Sequence, residues 1–568
     1  MECEWFPWDS ARKFADAPRP LVALLGEVET HRLLIQNLPR RSSFSFSSLA
    51  LDHVFPQSSL LPDSDSAPLS PEASASPPRY SDPPRDAEGV LPLDWALEYF
   101  NPLPALVVLV FRADGLDAEE VICSAVERFR RNNPAGFRIY REVLLLLSSS
   151  PVDVASSTLS NLWKKAGLSS KKAVVSVNTA NLKDSLIKLE TVIVTGCSDY
   201  YKDCQKSLRK SKDVLADSLR KMQSRVSIQL GLLAQTFGDL DAALANFGTA
   251  LDQIGFLYGT PSAFEAGNIA SILVLCKCRI LFQVGRFNDA VEAFLSHISN
   301  LKTISFDKER PQLLFRQYGL LENLHKTFAE LLDMFPSPMA LGNRTHHSSF
   351  HYYLAFRAAG ERRESAYSII SQWPPVSEYD ESLLIERNSR RQFFGKLSND
   401  SDDELLVSVW LESKVNHSDC SLELLKKAYH SAKRISSDRL ILLLGFEMAK
   451  EYHRRGDFKT AFDFFDSLLP KYRQEKWSFV LANILVQAHE TALAMENYSL
   501  SAQYAIEFLH TSIDCSSVVS DAMIECGPVE KRQAMYERFC KSLESLGAFD
   551  CPISFEESHL AMFGEPFV

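Results

Sequence analysis

Two hydrophobic periods divide the chain, and the change falls near residue 195. Before it, short unbroken apolar runs alternate with amphipathic stretches. Residues 105–111 are apolar throughout (Ala105 to Phe111), as in a strand buried on both faces. Residues 117–131 place Val121, Ile122, Ala125 and Phe129 on one helical face, and residues 138–147 return to the strand pattern. Residues 154–166 read as helix, residues 172–177 as a third strand, and a helix starts at Leu182. Strands alternating with helices predict a parallel sheet of βαβ units. Residues 21–26 form one more short apolar run. Residues 57–88, rich in Ser, Pro and Asp, lack the apolar surface to offset ordering entropy and are expected to form a flexible insertion.

From residue 196 the period is helical, and one template recurs. It starts with Gly238-Asp239, Gly285-Arg286 and Gly456-Asp457, each followed by a large apolar residue (Leu240, Phe287, Phe458). Counting from that residue, Ala falls at +3 (Ala243, Ala290, Ala461) and Phe at +7 (Phe247, Phe294, Phe465). These offsets trace one helix stripe. The Gly is placed to end the preceding helix in left-handed geometry. Upstream lie further apolar helices at 228–237, 272–284 and 441–453, and a fainter copy runs over 496–504. Each unit reads as a tetratricopeptide-type helical hairpin, without a strict 34-residue spacing. The expected fold is α+β overall and mainly α. An N-terminal α/β parallel-sheet domain (1–195) precedes an irregular tetratricopeptide-like α-solenoid (196–568), an architecture that presents an extended protein-binding face.

The composition is that of a globular chain, 46% hydrophobic and 23% charged, with a net charge of −11. Such a chain is a poor general binder of nucleic acid or anionic membranes. Basic residues are nonetheless dense at Lys206, Arg209, Lys210, Lys212, Arg220, Lys221 and Arg225. A solvated helix face is the plain reading; a surface for an acidic partner or lipid headgroups is the sharper one. The start, Met1-Glu2-Cys3-Glu4-Trp5, lacks the pattern of a signal peptide. The apolar runs at 105–111 and 143–147 are far shorter than the ~20 residues of a membrane helix, so any membrane attachment is expected to be peripheral or through a partner. The 11 cysteines are scattered and read as reduced, mostly buried thiols; Cys276 and Cys278 have no second pair at zinc-site spacing.

Searching for chemistry yields little. After the strand at 105–111 the chain reads Arg112-Ala113-Asp114-Gly115, and one glycine does not make a pyrophosphate-binding turn. Asp114 reads as a turn or cap residue. His346, His347 and His351 cluster, and the last two have i, i+4 spacing, but no further metal ligand is placed. No motif of a serine hydrolase, kinase or zinc deaminase occurs. No catalytic, cofactor-binding or metal residue is assigned, and no cofactor is expected.

Several stretches together resemble one family. Residues 101–111 resemble its N-P-A-L-V-V strand, and Tyr200-Tyr201 before a Lys/Arg-rich helix matches its next landmark. Phe350, Tyr352, Ala355, Ala359, Glu361 and Arg362 match an F-x-Y…A…A-x-E-R pattern, with His351 where Tyr is usual. Tyr472, Arg473, Glu475 and Trp477 match Y-R-x-E-x-W. The family is the foie gras domain, found in subunit eleven of the trafficking protein particle (TRAPP) complex. The resemblance implies a non-enzymatic scaffold in vesicle tethering, supporting Rab-type GTPase exchange in ER-to-Golgi transport and autophagy. The implied partners are other TRAPP subunits and, indirectly, a Rab-type small GTPase, with no nucleic acid. The implied location is cytoplasmic, peripherally at Golgi and ER–Golgi intermediate membranes. Relatives are about twice as long, with a β-rich C-terminal half, so this chain is expected to correspond to their N-terminal half. Arg473 and Trp477 are the candidate protein-interaction residues, because Pro470 is expected to break the helix just before them; Trp477 packed inside the next hairpin is the plainer reading. Two other classes compete: a free-standing tetratricopeptide-like adaptor for peptide tails, and an enzyme using the α/β unit.

Overall fold

The computed structural model describes residues 19–38, 43–50, 104–112, 118–132, 141–148, 162–168, 173–178, 182–214, 220–258, 263–303, 314–336, 344–370, 412–435, 437–475, 478–510 and 537. The expected insertion at 57–88 lies outside them. The chain forms two compact units, residues 1–310 with 374–408, and residues 311–373 with 409–568.

The first unit opens with β1 (Leu21–Leu25), α1 (Val28–Asn37) and β2 (Ser45–Leu49). Then come β3 (Leu106–Arg112), α2 (Ala118–Asn132), β4 (Arg141–Ser148), the short α3 (Leu162–Lys165), β5 (Val174–Asn178) and α4 (Leu182–Val214). All strand pairs are parallel, in the order β2-β1-β3-β4-β5. The three strands expected between residues 105 and 177 are β3, β4 and β5. β1 and β2 carry weaker signals. β1 is only five residues long, and β2 is a half-exposed edge strand of sequence Ser-Phe-Ser-Ser-Leu, with no apolar run.

Alternation along the strands supplies two cores, as period 2 requires. Val22, Leu24, Leu106, Val108 and Leu145 pack with Leu34 of α1 and Leu186, Leu189 and Ile193 of α4. Ala23, Leu25, Val107, Leu109 and Leu144 pack on the other face with Ile122, Val126 and Phe129 of α2. Helices on both faces explain the unbroken apolar runs within the central strands, Leu106 to Phe111 in β3 and Val143 to Leu147 in β4. α4 then runs on past residue 195. At Gly196 it approaches β3 so closely that a Cβ would lie 2.7 Å from Leu106. One turn later the Tyr201 ring stacks on Phe237 at 5.2 Å between centroids, and its hydroxyl donates to Asp239 at 2.8 Å. One helix thus packs on the sheet and braces the first hairpin, which accounts for the paired tyrosines at 200 and 201.

That hairpin is α5 (Arg220–Thr236) and α6 (Leu240–Gly255); α7 (Ala263–Gln283) and α8 (Phe287–Thr303) follow. The second unit contains α9 (Leu314–Met334), α10 (Ser348–Ile370), α11 (His417–Arg434), α12 (Asp438–Arg455), α13 (Phe458–Glu475), α14 (Ser478–Ala494) and α15 (Tyr498–His510). Residues 266–283 of α7 are long and apolar enough to cross a membrane, a stretch that the apolar runs noted above did not include. With 89% of that window buried, α7 is a core helix here.

The repeated turn has one geometry at all four sites. Gly238, Gly285 and Gly456 have φ of 80°, 78° and 86°, and Glu496 stands in the fourth turn at 58°. At each, this residue's N–H bonds back to Gln235, Phe282, His453 or Leu493, and the next N–H bonds to Ala234, Leu281, Tyr452 or Ala492. This double bond is the Schellman motif, which satisfies the last carbonyls of the preceding helix. Asp239, Asp457 and Asn497 then cap the following helix by accepting from the N–H of Ala242, Thr460 and Leu500. Left-handed geometry strains any residue with a Cβ. Glu496→Gly is therefore expected to stabilise the second unit by about 0.5–1 kcal/mol, after subtracting glycine's unfolded-state entropy. Urea unfolding of the full chain measures this; a destabilised variant would mean Glu496 makes a contact that outweighs the strain.

The template's side chains lie where the stripe puts them. Ala243, Ala290 and Ala461, with Phe247, Phe294 and Phe465, are all fully buried. Ala461 packs in a cluster with Phe446, Ala449, Ala482 and Leu485 of the neighbouring helices. Ala461→Leu is expected to overpack that contact at a cost of about 1–3 kcal/mol. A melting temperature equal to wild type would contradict the assignment. One local expectation fails. Pro470 does not break its helix, which runs from Phe458 to Glu475. A proline in a helix interior loses one hydrogen bond, but Leu468, Leu469 and Tyr472 are buried on either side and hold the helix together through it.

Candidate functional site

In a sheet of this order, ligands characteristically bind at the C-terminal ends of β1 and β3, where the crossovers diverge. Gly26 makes the turn after β1, with φ of 145° and a position at which a Cβ would lie 2.7 Å from the Val110 carbonyl. The adjacent Glu27 then precedes α1. Its carboxylate accepts from Thr30 Oγ1 and from Arg112 Nη2 at the end of β3, each at 2.9 Å. His31 is fully buried beneath, and burial lowers its proton affinity. The positive end of α1 thus faces the chain's own carboxylate, which repels a phosphate group rather than cradling one. Asp114 lies outside the described residues.

The histidine cluster is packed. His351 is fully buried, with its ring edge-on to Phe328 at 4.8 Å and stacked with His325 at 5.4 Å. Its Nε2 lies 2.9 Å from the Thr345 carbonyl and its Nδ1 3.2 Å from His325 Nδ1. Desolvation pushes its pKa down to about 4, so the ring is neutral. His347 pairs with Ser349. Among the described residues no three His, Cys, Asp or Glu side chains form a group fit for a metal ion. Cys276 and Cys278 are fully buried, and burial raises both thiols.

Among the described residues, a connected cluster of buried charges lies inside the second unit. Arg362 of α10 donates to both oxygens of Glu412, at 2.7 and 2.9 Å, and to Glu322 of α9 at 2.9 Å. Arg363 donates to Glu451 of α12 at 2.5 Å, and Arg454 donates to the other Glu451 oxygen at 3.1 Å. Glu412 and Glu451 are almost completely buried. Although burial disfavours its charge, Arg362 stays protonated because Glu322 and Glu412 hold it. His417 lies 3.5 Å from Glu412, but burial, assisted by Arg362, lowers its pKa to about 4 and keeps it neutral. This arrangement clamps helices together. Sequence reasoning singled out Arg362 only as a landmark. The available signal was its position three residues after Ala359 and seven after Ala355, a charge on the buried stripe.

Of the two interaction candidates, Trp477 lies outside the described residues. Arg473 sits in the last turn of α13, partly exposed, and grips Glu507 of α15 through two hydrogen bonds of 2.7 and 2.6 Å. It braces two helices of successive hairpins. The basic residues at 206, 209, 210 and 220 are exposed on α4 and α5.

Residues 263–511 match the family model described as Foie gras liver health family 1. The landmarks at 350–362 and 472–477 fall inside that match. Among curated proteins, the chain is 24% identical over 446 residues to the trafficking protein particle complex subunit 11 of Gallus gallus. It is 23% identical over 446 residues to the proteins of that name from Bos taurus and Homo sapiens. Each match covers 74% of this chain and 39% of the relative. The chain therefore spans about two fifths of the length of the curated relatives it matches.

Proposed function

We propose that this chain, which carries a Foie gras liver health family 1 domain at residues 263–511, is a non-enzymatic scaffold subunit of a TRAPP-type tethering complex. In that role it supports nucleotide exchange on a Rab-type GTPase in ER-to-Golgi transport and autophagy, from the cytoplasmic side of Golgi and ER–Golgi intermediate membranes. The observation that carries the reading is the extent of the likeness to subunit 11, 446 residues and 74% of this chain, beside the family-model match at residues 263–511. The second unit is consistent with it: Arg362, Arg363 and Arg454 pair with Glu322, Glu412 and Glu451 and tie helices together, while the exposed Glu27–Arg112 pair sets a carboxylate at the start of α1. Arg473 and Trp477 remain the proposed contact residues, Arg473 through the guanidinium surface that Glu507 leaves exposed.

Affinity purification of the tagged full-length chain from cell extract, followed by mass spectrometry, tests this. TRAPP subunits are expected in the eluate, and the purified chain alone is expected to leave the GDP release rate of Rab proteins unchanged. Absence of every TRAPP subunit from the eluate of folded protein would contradict the reading.

A further inference from the structure

Between residues 200 and 225 eight basic side chains face three acidic ones, in a chain whose net charge is −11. The fold gathers these charges rather than dispersing them. Lys202, Lys206 and Arg209 recur at helical spacing on the exposed side of α4, with Lys210 beside them. α5 starts at Arg220, close to the end of α4 in sequence, and brings Arg220 and Lys221 to its first turn. The last turn of α6 meets the same point, where Gln253 Nε2 donates to Gln223 at 3.2 Å. Immediately after α6, Phe256 is 63% exposed, although Ile254 and Leu257 on either side are buried. The Arg220 guanidinium lies 3.9 Å from the centre of its ring, a cation–π contact that holds the aromatic outward. Met222 is also exposed, at 42%. Of the nearby acids among the described side chains, Asp203 is paired with Arg141 and Asp252 is exposed on α6; against them stand the exposed Lys202, Lys206, Arg209, Lys210 and Arg220, so the patch carries a net positive charge.

We infer that the first hairpin of the solenoid, through Lys206, Arg209, Lys210, Arg220, Met222 and Phe256, docks on an anionic lipid surface. The basic side chains match phosphate and serine headgroups, and each contributes within a Debye length of the surface. Phe256 and Met222 enter the boundary between headgroups and acyl chains, where amphipathic side chains are favoured. The inference rests on the tethering reading in one respect, the choice of a membrane over an acidic protein as the anionic surface.

Flotation of the full-length chain with vesicles of phosphatidylcholine, alone or mixed with phosphatidylserine, tests it. Binding is expected only to the mixed vesicles and is expected to weaken with added salt. The double variant Arg209→Gln/Lys210→Gln should bind about 30-fold more weakly, and Phe256→Ser should also lose binding, both with unchanged circular dichroism. Equal binding to neutral vesicles, no binding, or unaffected variants would overturn the inference. If vesicles are not bound but the double variant loses TRAPP subunits in a pull-down, the patch is a protein interface and the tethering reading stands. If mixed vesicles are bound as expected but wild type recovers no TRAPP subunit, the patch stands and the tethering reading falls.

Discussion

Arg362→Leu is expected to destabilise the second unit by about 3–5 kcal/mol. The side chain is buried, and its guanidinium makes three charge-assisted hydrogen bonds to two carboxylates on separate chain segments. Without it, Glu322 and Glu412 are left close together in a site that excludes water, where neither carboxylate has a neutralising partner. Arg362→Lys is expected to be nearly as harmful, because an ammonium does not reproduce the fork that grips both Glu412 oxygens. The triple replacement of Arg362, Glu322 and Glu412 by apolar residues of similar volume should recover most of the loss, since the charges are costly only when left unpaired. Urea unfolding followed by circular dichroism measures all three. An Arg362→Leu variant within about 1 kcal/mol of wild type would show that water reaches the cluster.

Acid is expected to weaken the fold well above the range in which ordinary carboxylates titrate. Burial brings His297, His351 and His417 down to about 4 from the 6.5 of an exposed imidazole. Between those values the unfolded chain takes up the proton and the folded chain does not. The stabilisation is complete above pH 6.5 and declines as pH falls through the window toward 4. Each histidine accounts for about 1–2 kcal/mol by pH 5. His297 acts in the first unit, where its Nε2 pairs with Ser271 at 2.9 Å; the other two act in the second. His351→Phe isolates one of them. Its site is lined by Phe328 and Phe350, so an aromatic hydrocarbon fits there, and the slope of stability against pH in the second unit should fall by about one proton. Coincident urea curves for wild type at about pH 7.5, above the window, and about pH 5, inside it, would refute this account.

How much of this the sequence discloses depends on the range of each interaction. The strands β3 and β4 are legible because burial on both faces leaves an unbroken apolar run in each, and β5 because its short run is interrupted only by Ser176. β2 is hidden because an edge strand needs no such run. The hairpin turns are legible from Gly238, Gly285 and Gly456, since left-handed geometry restricts the residue type, and Glu496 shows that the restriction is not absolute. Pro470 misleads because a local rule meets a helix whose packing outweighs it. The clamp around Arg362 is largely illegible. Its partners stand 40 and 50 residues away in sequence, and Arg363 reaches Glu451 across 88. A charge on an apolar stripe announces that a partner exists, but not which one. The brace from Arg473 to Glu507 is hidden for the same reason, and the aromatic tip at Phe256 emerges only once α4, α5 and α6 meet.

Cross-linking mass spectrometry on the affinity-purified chain tests the scaffold assignment most directly, because it reads which surface meets which subunit. Lysine-reactive cross-links from the solenoid, at positions such as Lys302, Lys426 and Lys459, to other TRAPP subunits are the predicted result. Cross-links confined to this chain, in a preparation whose unfolding remains cooperative, would contradict it.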